Sequence, residues 1–496
     1  MHRTSWFAAP FLVLAWSTSA LPGCGTTLAS LSSPVGYAPA PSTPWAPPTG
    51  YAVPQPLPSA PPRLPPGLSL DKLEGGAEVS LADAVAIALA NNPATRDAWL
   101  QAQVAAANVA GAKVGYLPNL SGDVKGLVQH QAALGGKFNF TQKVIDPGLT
   151  LSYLLFDFGG RAARVTQTER TLAAADFTQN QTVQDVILAA EQAYLSYVAE
   201  EALVSAEEDA VKSALASVDA AKAREKAGLG TEADVLQAQT ALANAKLDYE
   251  TVAGQLGIVK GSLATAMGLA ANVEIQVKVQ PPAEPRELKV QVKTLIDQAL
   301  ANRADLASAR EKALAARAQI DSLKASMKPS LSLAGTVDQV VFLGPPSVTT
   351  ATNYSVSLDV SVPISGAIAT LAAIAGAKAQ AEDLAVQSTL DDEKAVQEVW
   401  TSYYNLKTAA RRTQAAKDLV ASATAASDVA LGRYKQGLGT ILDVLSAQSA
   451  LASAKGTLIQ AQAQWSLALA QLAHDVGALS PRNLSQPLAP AGRETK

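Results

Sequence analysis

The chain has 496 residues, of which 48% are hydrophobic but only 5% aromatic, and its formal net charge is −4. The small net charge and the lack of a basic patch argue against a nucleic-acid partner. One cysteine and three histidines give no Cys/His cluster for a zinc site. The sequence also has no nucleophile-elbow, zinc-protease or phosphate-loop motif. We therefore expect a protein that is not an enzyme and binds no metal or cofactor.

Residues 1–23 have the pattern of a secretory signal peptide, with a basic residue before an apolar stretch that is too short to span a membrane. The Leu-Pro-Gly-Cys sequence that ends at Cys24 resembles a bacterial lipobox, although Pro22 is unusual at its position. It predicts acylation of Cys24 and a lipid anchor. Cleavage after Ala20, which would leave Cys24 as a free thiol, is the alternative.

Residues 24–77 are predicted to be a lipidated, proline-rich spacer. The stretch from Pro34 to Pro66 contains 13 prolines in 33 residues, which favours an extended chain without a core. At the other end of the chain, residues 481–496 are predicted to be a tail.

Two structural repeats, 78–276 and 293–480, are predicted between these ends, with a linker over 277–292. In each repeat two helices lead to a proline, and these prolines, Pro118 and Pro329, stand 211 residues apart. The shared spacing indicates that the duplication covers the whole folded body.

After each proline the hydrophobic period changes from 3.6 to 2, which predicts β-strands. Alternation over about ten residues is typical of transmembrane strands. An amphipathic sheet on a soluble core has the same pattern, since either a core or lipid could cover the apolar face. We place four strands at 117–130, 148–156, 330–342 and 353–363, with polar loops near 131–147 and 344–352.

Two long helical hairpins, 161–268 and 366–477, follow the strands. No proline or glycine interrupts residues 161–227, so a helix of ~100 Å is predicted there. Apolar residues recur at every seventh position, which indicates coiled-coil packing. The seam positions are Val183, Ala190, Tyr197, Val204, Val211 and Val218, then Val235, Leu242, Tyr249, Leu256 and Leu263, and in the second hairpin Val444, Leu451, Leu458, Trp465 and Leu472.

The uncharged stretch Val360–Ala377 could be taken for a membrane helix. It contains Pro363 and is rich in small residues, so it is weakly apolar for that role. We expect it to straddle a joint between a strand and a helix.

A duplicated hairpin motif is the strongest signal in the sequence. Arg224–Lys246 and Arg433–Lys455 are identical at 16 of 23 positions, 209 residues apart. Each copy contains Gly-Leu-Gly-Thr, whose glycines suit a tight turn between helices. We expect two hairpin tips, each with an exposed leucine, made of Gly228, Leu229, Gly230 and Thr231 in the first copy and Gly437, Leu438, Gly439 and Thr440 in the second.

Asp234 and Asp443 each follow a tip threonine by three residues, which is the spacing of a capping box. Helix capping is therefore one interpretation of both aspartates. The other is a constriction where several carboxylates repel one another and create a negative potential. The two roles can coexist in one residue.

Four strands cannot close a barrel, and open edges are not tolerated in lipid, so three copies with twelve strands would be a workable assembly. The paired Gly-Leu-Gly-Thr-x-x-Asp-Val-Leu-x-Ala-Gln motifs, the duplicated order of strands and long helices, and Phe156–Gly160 at the strand-to-helix joint resemble the TolC-like outer-membrane efflux family. The resemblance covers about residues 78–480.

The resemblance implies a mixed membrane α/β fold. Duplicated coiled-coil hairpins would form a periplasmic α-barrel, and four strands per subunit would contribute to a trimeric, twelve-stranded β-barrel in the outer membrane of a Gram-negative bacterium. It also implies a homotrimeric exit duct for tripartite efflux or type I secretion, with hairpin tips that dock a periplasmic adaptor and an inner-membrane pump. A non-conducting, lipid-anchored periplasmic coiled-coil scaffold is the alternative.

Family members narrow the periplasmic end of the duct near the hairpin turns. The resemblance implies that Asp443 belongs to an acidic ring and that Asp234 and Tyr434 take lock positions between helices. Ser446 and Gly439 stand where some members have a second aspartate and a lock arginine, so a double ring and that salt bridge are not expected here.

Overall fold

The computed structural model describes residues 62–65, 69, 76–133, 138–278, 290–343, 349–364 and 367–479. The predicted signal peptide, Cys24, most of the spacer, most of the 277–292 linker and the C-terminal tail lie outside these residues.

The described chain has two halves with the same order of elements: a short strand, two helices, two long strands and two long helices. Corresponding helices have 11 and 11, 22 and 22, 67 and 69, and 35 and 35 residues. The first half contains β1 (Glu78–Val79), α1 (Leu81–Asn91), α2 (Pro93–Val114), β2 (Asn119–Ala133), β3 (Phe138–Phe156), α3 (Gly160–Lys226) and α4 (Glu232–Ala266). The second contains β4 (Gln276–Val277), α5 (Val292–Asn302), α6 (Ala304–Ala325), β5 (Ser330–Phe342), β6 (Thr349–Ser361), α7 (Ala367–Lys435) and α8 (Ile441–Asp475).

Local sequence signals explain where the short helices begin. Ser80 and Asp83 form a capping box at the start of α1, which satisfies two backbone donors that a helix leaves free. Asn92 caps α2, and Pro93 occupies its first turn, where the missing N–H costs nothing.

The long helices pack as two hairpins that also contact each other. α3 packs along α4, α7 packs along α8, and α3 also packs against α8, so that the first hairpin lies beside the second. The predicted seam positions are buried or half-buried throughout, and among the buried ones are Ala190, Val218, Val235, Val444 and Leu472.

Two apolar cores hold the ends of the hairpins that lie far from the tips. In the first half Ile87 of α1 packs against Leu263 and Met267 at the end of α4. In the second half Leu295 of α5 packs against Trp465 and Leu472 of α8. β1 and β4 pair in parallel and so join the two halves.

The other four strands form one antiparallel sheet in the order β2-β3-β5-β6. The register separates two faces, because side chains alternate along each strand. Apolar residues align across one face, as in the row Leu120, Leu151, Gly335 and Val356. Polar residues align across the other, as in the row Ser121, Thr150, Thr336 and Ser355.

The strand predicted at 330–342 has those bounds in the structure, whereas the other three strands are longer than the sequence pattern predicted. The loop predicted at 131–147 is wrong. β3 begins at Phe138, and residues 138–147 pair with β2. Pro147 and Gly148 suggested a loop. β3 pairs with β5 at Ile145 and again at Gly148 but not at Asp146 and Pro147, so the proline lies where no backbone donor to β5 is needed. β6 likewise begins at Thr349, within the loop predicted at 344–352.

The stretch Val360–Ala377 straddles a strand-to-helix joint, as predicted, because β6 ends at Ser361 and α7 begins at Ala367. None of the helices in the described part of the chain combines the length and the hydrophobicity that crossing a bilayer requires.

A cluster of charged side chains ties four helices together. His474 of α8 contacts Asp185 of α3 at 2.8 Å (Nε2 to Oδ1) and Asp475 at 3.1 Å (Nδ1 to Oδ1). Beside it, Arg303, which precedes α6, donates to Glu398 of α7 at 2.6 Å and to Asp305 at 2.7 Å. All of these residues except Asp185 border a cleft of about 670 Å³.

Burial of the His474 ring disfavours its protonation, but hydrogen bonds to Asp185 and Asp475 and their negative charges outweigh that effect and raise the pKa of His474 to about 9. The ordinary value is 6.5. The protonated ring therefore stabilises the fold fully below pH 6.5, and this contribution is lost as the pH rises through about 9.

We expect the thermal midpoint of the purified protein, followed by the helical circular dichroism signal, to fall between pH 7 and pH 10. The His474 contribution is about 2 kcal/mol, after allowance for the half-exposed Asp185. His474→Gln keeps a polar side chain without the titrating charge, so its midpoint should change less over this range. Parallel pH curves for the two proteins would contradict this assignment.

Candidate functional site

The hairpin tips are built alike, bond for bond. In the first tip the Leu229 N–H donates to the Arg224 carbonyl at 2.8 Å, and in the second the Leu438 N–H donates to the Arg433 carbonyl at 2.8 Å. This six-residue hydrogen bond closes a helix end only if the residue before the leucine is left-handed. Gly228 and Gly437 supply that conformation, with φ values of 71° and 78°.

Capping boxes then begin the returning helices. The Thr231 N–H donates to the Asp234 carboxylate at 2.8 Å, and the Thr440 N–H donates to Asp443 at 3.0 Å. The threonine hydroxyls accept in return from the aspartate N–H groups. The capping interpretation of both aspartates is therefore confirmed. The backbone hydrogen bond from Thr440 is the main reason that the pKa of Asp443 is lowered.

Each tip presents a leucine to solvent. Leu229 is 68% exposed and Leu438 is 66% exposed, which confirms the expected pair of apolar side chains. The glycines of the tips follow from turn geometry, but turn geometry does not require a large apolar side chain at either position. The leucines are therefore candidates for contact with another molecule.

Arg224 joins the two tips within one chain, and sequence reasoning missed this role. Its guanidinium lies 4.8 Å from the centre of the Tyr434 ring, donates to the Tyr434 carbonyl at 3.0 Å and donates to the Leu229 carbonyl at 3.3 Å. Tyr434 is only 5% exposed and packs with Ile441 and Val444. The sequence did contain a signal for this role, because both copies of the motif begin with an arginine.

Asp234 and Tyr434, the two residues assigned to lock positions, are not hydrogen-bonded to each other in the described structure. Burial is the main cause of a raised pKa at Tyr434, and the charges of Arg224 and Asp234 also act on the phenol. Among the described residues, however, no hydrogen bond joins Asp234 to Tyr434, and the Asp234 carboxylate is used in its capping box. Gly439 packs beside Arg433 and Tyr434 in the turn.

The described residues contain no group of three or more His, Cys, Asp or Glu side chains that could hold a metal ion. The chemistry at the tips is therefore that of turns, caps, one arginine–tyrosine contact and exposed leucines.

The model of the family described as "Outer membrane efflux protein" matches residues 84–269 and 295–478. The chain belongs to the outer membrane efflux protein family. The two matched segments correspond to the two halves of the fold, and each contains one hairpin tip. The family resemblance that the sequence motifs suggested is therefore confirmed, and this efflux family protein is a transport conduit of the outer membrane and not an enzyme.

Named relatives and solved structures agree with this assignment. The chain is 28% identical to Protein CyaE of Bordetella pertussis over 404 residues, which cover 79% of this chain and 82% of the relative. It is 25% identical to the outer membrane efflux protein BepC of Brucella suis, over 80% of this chain and 85% of that one. The outer-membrane channel OprN superposes with a TM-score of 0.72 at 20% identity, over 80% of this chain and 90% of OprN, which shows the shared fold.

Proposed function

We propose that this efflux family protein assembles as a homotrimer in the outer membrane and serves as the exit duct of a tripartite efflux or type I secretion system. Twelve strands, four from each subunit, would form the membrane barrel, and the helical hairpins would form a periplasmic α-barrel. The observation that carries this proposal is the uncovered apolar face of the sheet.

No core formed by the described residues covers the apolar face. Tyr354, Val356, Leu358 and Val360 of β6 are exposed in the isolated subunit, as are Leu120, Val124 and Val128 of β2. A soluble amphipathic sheet would pack this face against helices, because an exposed apolar patch of this size invites association. Lipid is the partner that fits a face formed by strands of 13 to 19 residues.

The sheet edges support the trimer. β2 and β6 are the outer strands of the sheet, and each pairs on one side only among the described residues. Unpaired backbone groups are unfavourable in lipid. A cyclic assembly pairs β6 of one subunit with β2 of the next and leaves no open edge.

The tips would dock the periplasmic adaptor that links the duct to its inner-membrane pump. All eight tip residues, Gly228–Thr231 and Gly437–Thr440, lie in turns that project from the helices, and the exposed Leu229 and Leu438 are the apolar contacts available there. Two equal tips per subunit would present six similar contacts around a trimer.

Asp443, Tyr434 and Asp234 would form the periplasmic aperture. Asp443 is exposed, and its lowered pKa keeps the carboxylate charged. Three such carboxylates around an axis would create a negative constriction that attracts cations. Tyr434 would act through its contact with Arg224, which holds the second tip against the first.

The proposed channel can be tested by its mass and its conductance. Protein extracted from the outer membrane in mild detergent should have the mass of a trimer, and in planar bilayers it should give discrete single-channel currents. The non-conducting scaffold predicts no current. A monomer in the soluble periplasmic fraction would overturn the proposal.

The double variant Leu229→Ser with Leu438→Ser tests whether adaptor docking and channel conductance depend on different residues. Because the substitutions are at exposed positions, trimer mass and conductance should stay unchanged, whereas cross-linking to the adaptor and export in cells should fall. Conductance lost together with docking would show that the leucines hold the channel itself.

Asp443→Asn tests the acidic aperture. Asparagine keeps an oxygen that can accept the Thr440 hydrogen bond, so the cap is retained while the charge is lost. Block of the channel by multivalent cations should weaken by roughly tenfold, since three charges disappear from the ring. Asp234→Asn makes the same change at the other cap and measures how much the second proposed aperture carboxylate contributes to the block. Equal block in Asp443→Asn and the unmodified channel would remove Asp443 from the aperture.

Cys24, which lies outside the described residues, is proposed as the lipid attachment site. Cells grown with radioactive palmitate should label the protein, and Cys24→Ser should abolish the label while the protein is still exported. A variant that remains labelled would place the lipid elsewhere, and an unlabelled native protein would favour cleavage after Ala20.

A further inference from the structure

The two hairpins of one chain contact each other near their tips, and the duplication allows this contact to be compared with the corresponding surface on the other side of each hairpin. Near the tips, Ala220 of α3 and Leu445 of α8 pack against the cluster that contains the buried Tyr434. Arg224 covers the Tyr434 ring. This seam joins α3 of the first hairpin to residues of both helices of the second.

The duplication supplies a second set of the same positions. Adding 209 to Ala220 and Arg224 gives Val429 and Arg433, and subtracting 209 from Tyr434 and Leu445 gives Glu225 and Leu236. These four residues are not brought together within the chain. Val429 is 61% exposed and Leu236 is 54% exposed, although their counterparts in the seam are buried or half-buried.

Glu225 and Arg433 are also exposed. The Arg433 guanidinium donates to the Leu438 carbonyl at 3.3 Å, as Arg224 does to the Leu229 carbonyl. Arg224 then extends to the other hairpin, whereas among the described residues neither Arg433 nor Glu225 forms an ion pair. The arginine is thus held in the same way at both tips but meets a partner at only one.

From this we infer that Arg433 of one subunit pairs with Glu225 of the partner subunit, at the periplasmic end of a seam in which Val429 packs on Leu236. The inference rests on the proposed trimer, where the second hairpin of each copy meets the first hairpin of the next. Inside the chain, this packing places Arg224 against Tyr434. Between subunits, the same packing would place Arg433 against Glu225 of the partner subunit, which stands at the position corresponding to Tyr434.

The exchange of tyrosine for glutamate has a physical consequence. An arginine over a buried ring is held by packing as well as by charge, and it changes little with ionic strength. An exposed arginine–carboxylate pair is weaker and is screened by salt. The seams within subunits would therefore stay closed while the seams between subunits open. Asp443 lies beside the Arg433–Glu225 pair, since the charge of Arg433 is one of the causes of the lowered pKa of Asp443.

Cysteine cross-linking tests the contact directly. Glu225→Cys with Arg433→Cys, treated in outer membranes with a short thiol cross-linker, should give covalent dimers and trimers on a denaturing gel. Each single variant, which retains Cys24, should stay monomeric, and so should Arg224→Cys with Tyr434→Cys, whose thiols lie within one chain. A trimer by mass that gives no covalent oligomers would overturn the inference and leave the proposed function standing, whereas a monomer by mass would overturn both.

Charge exchange tests the interaction energy. Arg433→Glu and Glu225→Arg each place like charges in the seam, so the ratio of open to closed channel should rise by roughly two- to fivefold in bilayers. The double exchange, Glu225→Arg with Arg433→Glu, restores opposite charges and should return the ratio to that of the unmodified channel. Additive effects in the double variant would show that the two side chains do not meet.

Discussion

Unpaired backbone at the two edges of a four-stranded sheet is the constraint on which the proposed assembly depends. β2 and β6 each need a partner strand that the described residues of the chain do not provide. In water an edge can be solvated, but in lipid each free N–H or C=O group is costly. Once the apolar face commits the sheet to lipid, closure by further copies follows, and the long helices below must then meet as a ring.

The duplication would make the proposed ring nearly uniform. Corresponding helices have equal or almost equal lengths, so each hairpin offers the same length of seam to both neighbours. Helices with small residues at their contacts pack closely, and Ala190, Ala221, Ala238, Ala454 and Ala461 are buried in this way. The two hairpins differ at the tips, where Tyr434 corresponds to Glu225 and Ile441 to Glu232.

Much of this fold could be predicted from the sequence because its signals are local and repeated. The uninterrupted stretch before the first tip gave α3 almost to the residue, and the threonine–aspartate spacing gave both caps. The prediction of a loop at 131–147 was wrong because a proline such as Pro147 normally ends a strand. Only the register with β5, which is interrupted at Pro147, shows that the missing N–H is tolerated there. The β-propensity of a residue does not show whether the surrounding strands tolerate a proline at its position.

The side-chain contacts of the site could not be predicted from the sequence in the same way. Arg224 meets Tyr434 across 210 residues of chain, and His474 meets Asp185 across 289. No periodicity links residues so far apart, since their proximity depends on how one hairpin lies on the other. The duplication partly removes this limit, because one observed contact predicts a second at the same offset. In this way the structure of a single chain carries information about a neighbour that it does not contain. Where the repeat has diverged, as at Glu225, it also indicates which seam in the proposed ring is the weaker one.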